Sequence, residues 1–253
     1  MRVVASALLL GGAVLLSVAI THQFWPTHNA TTSQTRPAGG SGSGSAGGFP
    51  LGNGDSSGSG GSSSSASGAP RNVSLIASAV DPALVDVNLT LGGQSQSVQG
   101  SATGIVLTPS GLVLTNNHVV DGARTISATD IGNGHTYSAT VVGYDRSQDV
   151  ALIQLTGASG LTTARLGDSA EVTLGQAVVG IGNAGGLGGR PSAAGGSVVA
   201  LKQQIIARNL GEGTSEQLSG LIQTNAAIQP GDSGGPLVNT AGQVIALDTA
   251  ASN

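Results

Sequence analysis

The amino-acid sequence predicts an all-β protein, and three observations carry that prediction. From residue 71 onward, short runs rich in Val, Ile, Leu and Thr are separated by Gly-, Pro- and Asn-bearing turn signals. The 253 residues include 42 Gly and only 2% aromatics, so a core must be assembled from Val, Ile, Leu and Ala, a choice that suits many short strands. Helical patterning is confined to a short stretch near Leu75–Val80 and a turn at His118–Asp121.

At the start of the chain, Met1-Arg2 is followed by an uninterrupted apolar and small-residue run from Val3 to Ile20. Eighteen residues at helical rise span about 27 Å, enough to cross a bilayer core. Residues 3–20 are therefore expected to be a membrane anchor, with a cleaved signal peptide as the alternative because Ser17-Val18-Ala19 fits a small-x-small cleavage rule. Phe24-Trp25 favour the anchor, since they stand where an interfacial aromatic belt belongs. Either reading leaves residues 1–2 in the cytoplasm and exports the rest.

Residues 21–70 become polar and then Gly/Ser-rich, as in Gly39-Gly40-Ser41-Gly42-Ser43. Such a stretch buries too little apolar surface to offset the cost of ordering, so it is expected to be a disordered linker with a root-mean-square span of about 40 Å. A folded domain is expected over 71–253. Its strand candidates are Leu84–Leu91, Ser97–Leu107, Leu112–Thr115, Arg124–Ala128, Tyr137–Tyr144 and Val150–Leu155. A second set comprises Ala177–Ile181, Gly196–Gln204, Gly220–Gln223, Gly235–Val238 and Gln243–Leu247. Pro109-Ser110-Gly111 and Gly132-Asn133-Gly134 are among the turn signals between them.

Charge and cysteine content exclude several classes of function. Charged residues make up 9% of the chain, the formal net charge is −4, and Lys202 is the only lysine, so there is no basic surface for nucleic acid. Without cysteine there is no disulfide framework, thiolate metal site or cysteine nucleophile. His22, His28 and His135 are isolated from other ligand types, so neither a metal nor a cofactor is expected.

The most informative segment is Gly231-Asp232-Ser233-Gly234-Gly235-Pro236-Leu237. A serine between glycines just before an apolar strand can be presented as a nucleophile, with backbone N–H groups turned toward the oxygen of an attacked carbonyl. A serine hydroxyl also needs a positioned base and an orienting acid. Upstream, His118 in Thr115-Asn116-Asn117-His118-Val119-Val120 and Asp149 in Asp145-Arg146-Ser147-Gln148-Asp149-Val150 supply both. Asp145 is the rival acid, but its neighbours Arg146 and Ser147 are polar, whereas Val150-Ala151-Leu152-Ile153 would bury Asp149.

Four segments resemble the HtrA/Deg family of trypsin-fold serine proteases: GSATGIVLTPSGLVLTNNHVV (100–120), YDRSQDVALIQL (144–155), VVGIGNAGGLGG (178–189) and TNAAIQPGDSGGPLVNTAGQVIAL (224–247). The resemblance runs from about residue 72 to the end. It implies two antiparallel six-stranded β-barrels with the site in the cleft between them. It carries over His118 as general base, Asp149 as its orienting acid and Ser233 as nucleophile, with the backbone N–H groups of Gly231 and Ser233 as the oxyanion hole. Ala227, six residues before the serine, would sit at the base of the primary pocket. No acid waits there for an Arg or Lys side chain, and Ile228 with the Ala/Thr run Ala246–Ala251 suggests a shallow apolar site for small aliphatic side chains. The function implied is endoproteolysis of unfolded or envelope polypeptides outside the cytoplasm, in a homotrimer by family analogy. The alternatives are a catalytically weak relative that binds polypeptide as a holdase or decoy, and an esterase.

Two departures from the pattern stand out. Position 232 is Asp, where the family usually has Asn, and Arg190, Lys202 and Arg208 are the candidate partners for its charge. The sequence also stops at Asn253, before the last strand and the PDZ domains that such proteins normally carry, so the second barrel is expected to be truncated with an unpaired edge.

Overall fold

The computed structural model describes residues 17–20, 63–92, 98–208 and 215–249. The first barrel is built from β3 (Leu84–Leu91), β4 (Val98–Val106), β5 (Leu112–Thr115), β6 (Ala123–Asp130), β7 (Thr136–Asp145) and β8 (Val150–Leu155), closed in the order β3-β4-β5-β8-β7-β6. Every pairing in it is antiparallel. Period-two alternation explains the register: Ala151, Ile153 and Leu155 of β8 point inward, as do Val85, Val87 and Leu89 of β3. They meet Val106, Val113, Ala128 and Ala139 in one core, each fully buried aliphatic side chain contributing about 1.5–3 kcal/mol.

The second sheet comprises β9 (Ala177–Gly182), β10 (Ser192–Arg208), β11 (Ser215–Thr224), β12 (Pro236–Asn239) and β13 (Val244–Asp248). Val178, Val198, Ile222, Leu237 and Ile245 fill its interior. The 17-residue β10 pairs with β9 through its first part and with β11 through its second. Register shifts between Ala200 and Gln204, together with a left-handed Lys202 (φ 53°), mark the bulge that bends it from one neighbour to the other. The two barrels share a seam in which Leu84, Ile105 and Leu114 pack with Val179, Ile181, Val238 and Leu247. Helix α1 (Val73–Val80) closes this seam with Val73, Ile76, Ala77 and Val80, and leaves Leu75 exposed.

The second sheet curls into an incomplete barrel, as expected, whereas two other expectations need correction. β1 (Ser17–Ile20) lies parallel between β13 and β11. Those four residues are thus in a strand, although the apolar run containing them predicts a membrane helix. Extended backbone there gains hydrogen bonds on both sides. The rest of that run, residues 3–16, lies outside the described residues, and no helix among the described residues is long and apolar enough to cross a membrane. The ordered chain also begins before residue 71. Within the expected linker, β2 (Ser63–Ser65) pairs in parallel with β10, Ala66 N–H bonds Gly195 O at 3.0 Å, and Ser67 O accepts from Ser197 and Asn225. Backbone pairing with β10 places this serine run in the second sheet. The remainder of the expected linker, residues 21–62, lies outside the described residues.

Candidate active site

His118 sits in the one-turn helix α2 (Asn117–Val120), directly after β5. Its ring Nδ1 is 2.7 Å from Asp149 Oδ2, and its backbone N–H donates to Asp149 Oδ1 at 2.9 Å. Asp149 therefore grips the histidine by ring and backbone together, which fixes the ring's rotation and leaves Nε2 as the outward-facing nitrogen. The imidazole side chain is 31% exposed and the carboxylate 4%, so a reactant can reach the base while the acid stays dry.

Asp149 owes its aim to an unusual backbone. It is one of two non-glycine described residues with positive φ (50°, ψ 45°) and follows a 3-10 turn over Arg146–Gln148. Such a conformation costs on the order of 1–2 kcal/mol. Here Asp149 N–H bonds Arg146 O, while its own carbonyl accepts from Asn116 Nδ2 and Asn117 N–H. Asp145 caps that turn, its Oδ1 accepting from Ser147 N–H and Oγ–H, and remains exposed. The rival acid is thus a surface turn residue.

Ser233 lies in the turn before β12, 8% exposed. The glycines around it are dictated by space as well as conformation. A Cβ on Gly231 (φ 98°) would stand 2.2 Å from Asn183 O, and one on Gly234 (φ 84°) 2.1 Å from Thr103 O and 2.2 Å from Thr115 Oγ1. Only glycine permits the second barrel's turn to press this closely onto the first. Thr103 of β4, 1% exposed, is the clamp. Its N–H donates to Ser233 O, its Oγ1–H donates to Gly231 O at 2.9 Å, and the same Oγ1 accepts Asn183 N–H. Thr249, beyond β13, donates its hydroxyl to Asp149 Oδ2 at 3.3 Å. Gly234 N–H bonds the carbonyl of Asp248, the residue before Thr249. Serine turn and histidine–aspartate pair are therefore tied together from both sides of the cleft.

Sequence patterning did not single out Thr103, Thr249 or Asp248. The hydroxyls look like ordinary strand residues in sequence, and their roles exist only once two barrels meet. Asp248 did leave a signal, since it is an acid at the end of the apolar run Val244-Ile245-Ala246-Leu247.

The other sequence-predicted residues fall as follows. Ile228 is buried against Ala194 and Ala226, with half-buried Ala227 packed beside them. Asp232 accepts Gln229 N–H at 2.8 Å, while Arg190 is engaged by Asp81 and Ser78 instead. Burial pushes the Asp232 carboxyl up to about 6, against the lowering effect of Gln229 N–H and Ser192. A cavity of about 520 Å³ opens elsewhere, bordered by Asp81, Asp86, Asp130 and Arg190, and contains none of His118, Asp149 or Ser233. Among the described residues no cluster of three or more His, Asp or Glu side chains is placed to hold a metal ion.

Comparison with known proteins matches this arrangement. A family described as trypsin-like peptidase domain matches residues 102–247. The serine protease PepD of Mycobacterium tuberculosis is 37% identical over 190 residues, covering 72% of this chain and 39% of that protein. The periplasmic serine endoprotease DegP of Escherichia coli is 38% identical over 160 residues, covering 63% of this chain and 32% of that protein. The matched part of the chain thus spans well under half the length of these relatives. Among solved structures, the HtrA-type protease AlgW with a tripeptide superposes with a TM-score of 0.57 at 32% identity, covering 70% of this chain and 53% of that one.

Proposed function

Because the chain belongs to the trypsin-like peptidase family, in its HtrA/Deg branch, we propose that it is a serine endopeptidase working through an acyl-enzyme. In this reading Ser233 Oγ attacks the peptide carbonyl while His118 Nε2 takes the hydroxyl proton, later delivering it to the departing amine. Asp149 holds the imidazole in the tautomer with hydrogen on Nδ1 and stabilises the imidazolium that forms in between. The N–H groups of Gly231 and Ser233 receive the developing oxyanion, each such donor being worth about 3–4 kcal/mol of transition-state stabilisation.

The observation that carries the reading is the 2.7 Å His118–Asp149 bond, linked to the serine turn through Thr249 and the preceding Asp248 carbonyl. The substrates proposed are unfolded or envelope polypeptides, with Ala227 and Ile228 bordering a site for small aliphatic side chains. Extracytoplasmic placement is supported by the periplasmic naming of DegP and by the apolar run near the start of the chain. A homotrimeric state, by family analogy, belongs to the same proposal.

A fluorophosphonate probe combined with casein digestion tests it. The wild-type chain is expected to label and to cleave, and Ser233→Ala to do neither, with activity lower by about 10⁵-fold or more. Labelling without peptide cleavage would make the protein an esterase or a polypeptide-binding relative.

A further inference from the structure

Asp232 and Asp248 are both buried, and no cation among the described residues pairs with either. Asp248 is wholly buried and Asp232 is 5% exposed. No well-formed hydrogen bond reaches Asp248 Oδ1, Asp248 Oδ2 or Asp232 Oδ1, and the nearby Ile181 N–H and Ser192 hydroxyl only partly offset the burial. The two side chains lie over one face of β9. A Cβ on Gly182 would stand 2.8 Å from Asp232 Oδ1, and one on Gly180, two residues earlier and so on the same face, 3.1 Å from Asp248 Oδ2. The strand has given up side chains at both positions to make room for carboxyls.

The groups around the pair are neutral. From β9 come Gly180, Ile181 and Gly182, from β10 Ser192, whose hydroxyl donates to Gly182 O, and from the turn Ile228 and Gln229. The nearest titratable groups linked to it are Asp149 and His118, reached only through Thr249. Two adjacent carboxylates in such a place cannot both ionise without several kcal/mol of uncompensated charge. Burial, and after it the neighbouring Asp232 charge, raise Asp248 well above the ordinary carboxylate value.

The pair is wired to the nucleophile by backbone. Gly235 N–H donates to Asp232 O, Asp248 N–H donates to Gly235 O at 2.7 Å, and Gly234 N–H donates to Asp248 O at 2.9 Å. Ser233 stands between Asp232 and Gly234, so any separation of the two side chains displaces the serine turn.

We infer that Asp232 and Asp248 are a proton-sharing carboxyl pair that positions the Ser233 turn, closed when Asp248 donates its proton to the Asp232 carboxylate and loosened when that proton is lost to solvent. This makes them positioning residues for the proposed peptidase reaction, and the inference rests on that reading. Activity then falls on the alkaline side, where the pair would hold two charges and the oxyanion donors lose their alignment.

The test is kcat/KM and the thermal midpoint from pH 5 to 10 for the wild-type chain, Asp248→Asn and Asp232→Asn. An amide at 248 offers a permanent N–H to Asp232, so Asp248→Asn is expected to retain alkaline activity that the wild type loses, the ratio of the two growing by about tenfold per pH unit along the limb. Asp232→Asn, which removes the second charge, is expected to do the same. Identical profiles in all three proteins would overturn the inference, as would an alkaline loss that tracks global unfolding. Absence of peptidase activity at every pH would instead overturn the functional reading. The pair would then still appear as a thermal midpoint difference between wild type and Asp248→Asn that grows with pH.

Discussion

The molecule contains two dry carboxylate sites linked to the Ser233 turn, one in each half, and they solve opposite problems. In the first half, Asp149 is met by His118 through ring and backbone and by the Thr249 hydroxyl. In the second, Asp232 is met by the Gln229 N–H and the Ser192 hydroxyl and Asp248 by the Ile181 N–H, too little to offset their burial. A carboxylate that is amply donated to can stay charged and orient a base, whereas one that is not must keep a proton. The same residue type thus becomes an electrostatic anchor in one barrel and a proton holder in the other, by environment alone.

The largest effect is expected from breaking the first site. Asp149→Asn keeps the size of the side chain and tolerates left-handed backbone, but it replaces an acceptor facing Nδ1 with an amide and selects the wrong tautomer. kcat should fall by about 10⁴-fold with a thermal midpoint close to wild type. A loss of only tenfold in steady-state assays would mean that Asp149 does not orient the base. Thr103→Val should rank next. It deletes the hydroxyl that links Gly231 O to Asn183 N–H, leaving two buried polar groups unmet at about 1–3 kcal/mol each. Both the thermal midpoint and kcat/KM should drop, the latter by about ten- to a hundredfold.

How much of this was written in the sequence differs between the two halves for a physical reason. First-barrel strands follow one another along the chain between clear turn signals, so Leu84–Leu91, Leu112–Thr115 and Val150–Leu155 stand at the expected boundaries. In the second, β10 runs from Ser192 to Arg208 rather than Gly196 to Gln204. Glycine-rich flanks and a bulge hide its ends from any periodicity argument. β1 and β2 could not be anticipated, because parallel pairing with distant partners is specified by open edges and not by local pattern. His118, Asp149 and Ser233 were singled out because each stands in its own extended motif, and the structure sets the His118 ring against the Asp149 carboxylate. Thr103, Thr249 and Asp248 were not, since their importance arises from contacts across the cleft.

A smaller effect sharpens the contrast between charged and proton-holding acids. Asp86 on β3 is 3% exposed and accepts Gly189 N–H at 2.9 Å, and burial raises it to about 6 despite that bond. Its folded-state value lies above the unfolded one, so the stability it allows is fully present below about pH 4. That stability is lost as pH rises to about 6, then stays constant. Asp86→Asn has nothing to lose over that window. Its thermal midpoint, measured against wild type, should differ little at pH 4 and show a gain that levels off above about pH 6–7, at about 2–4 °C per kcal/mol. For Asp248→Asn the gain should keep growing past that point, because Asp232 adds its charge to the effect of burial.

The smallest expected change comes from Asp145→Asn, and it is a control on the first site. Asp145 and Asp149 are four residues apart in one loop, and only burial and backbone conformation separate their roles. An asparagine at 145 can still accept from Ser147 N–H and Oγ–H, the two bonds that Asp145 makes now, and the position is open to water. Stability should therefore stay within about 0.5 kcal/mol, with kcat/KM within about twofold of wild type. A loss comparable with that of Asp149→Asn in parallel assays would mean that the loop rearranges when substrate binds and that the acid selected by burial is the wrong one.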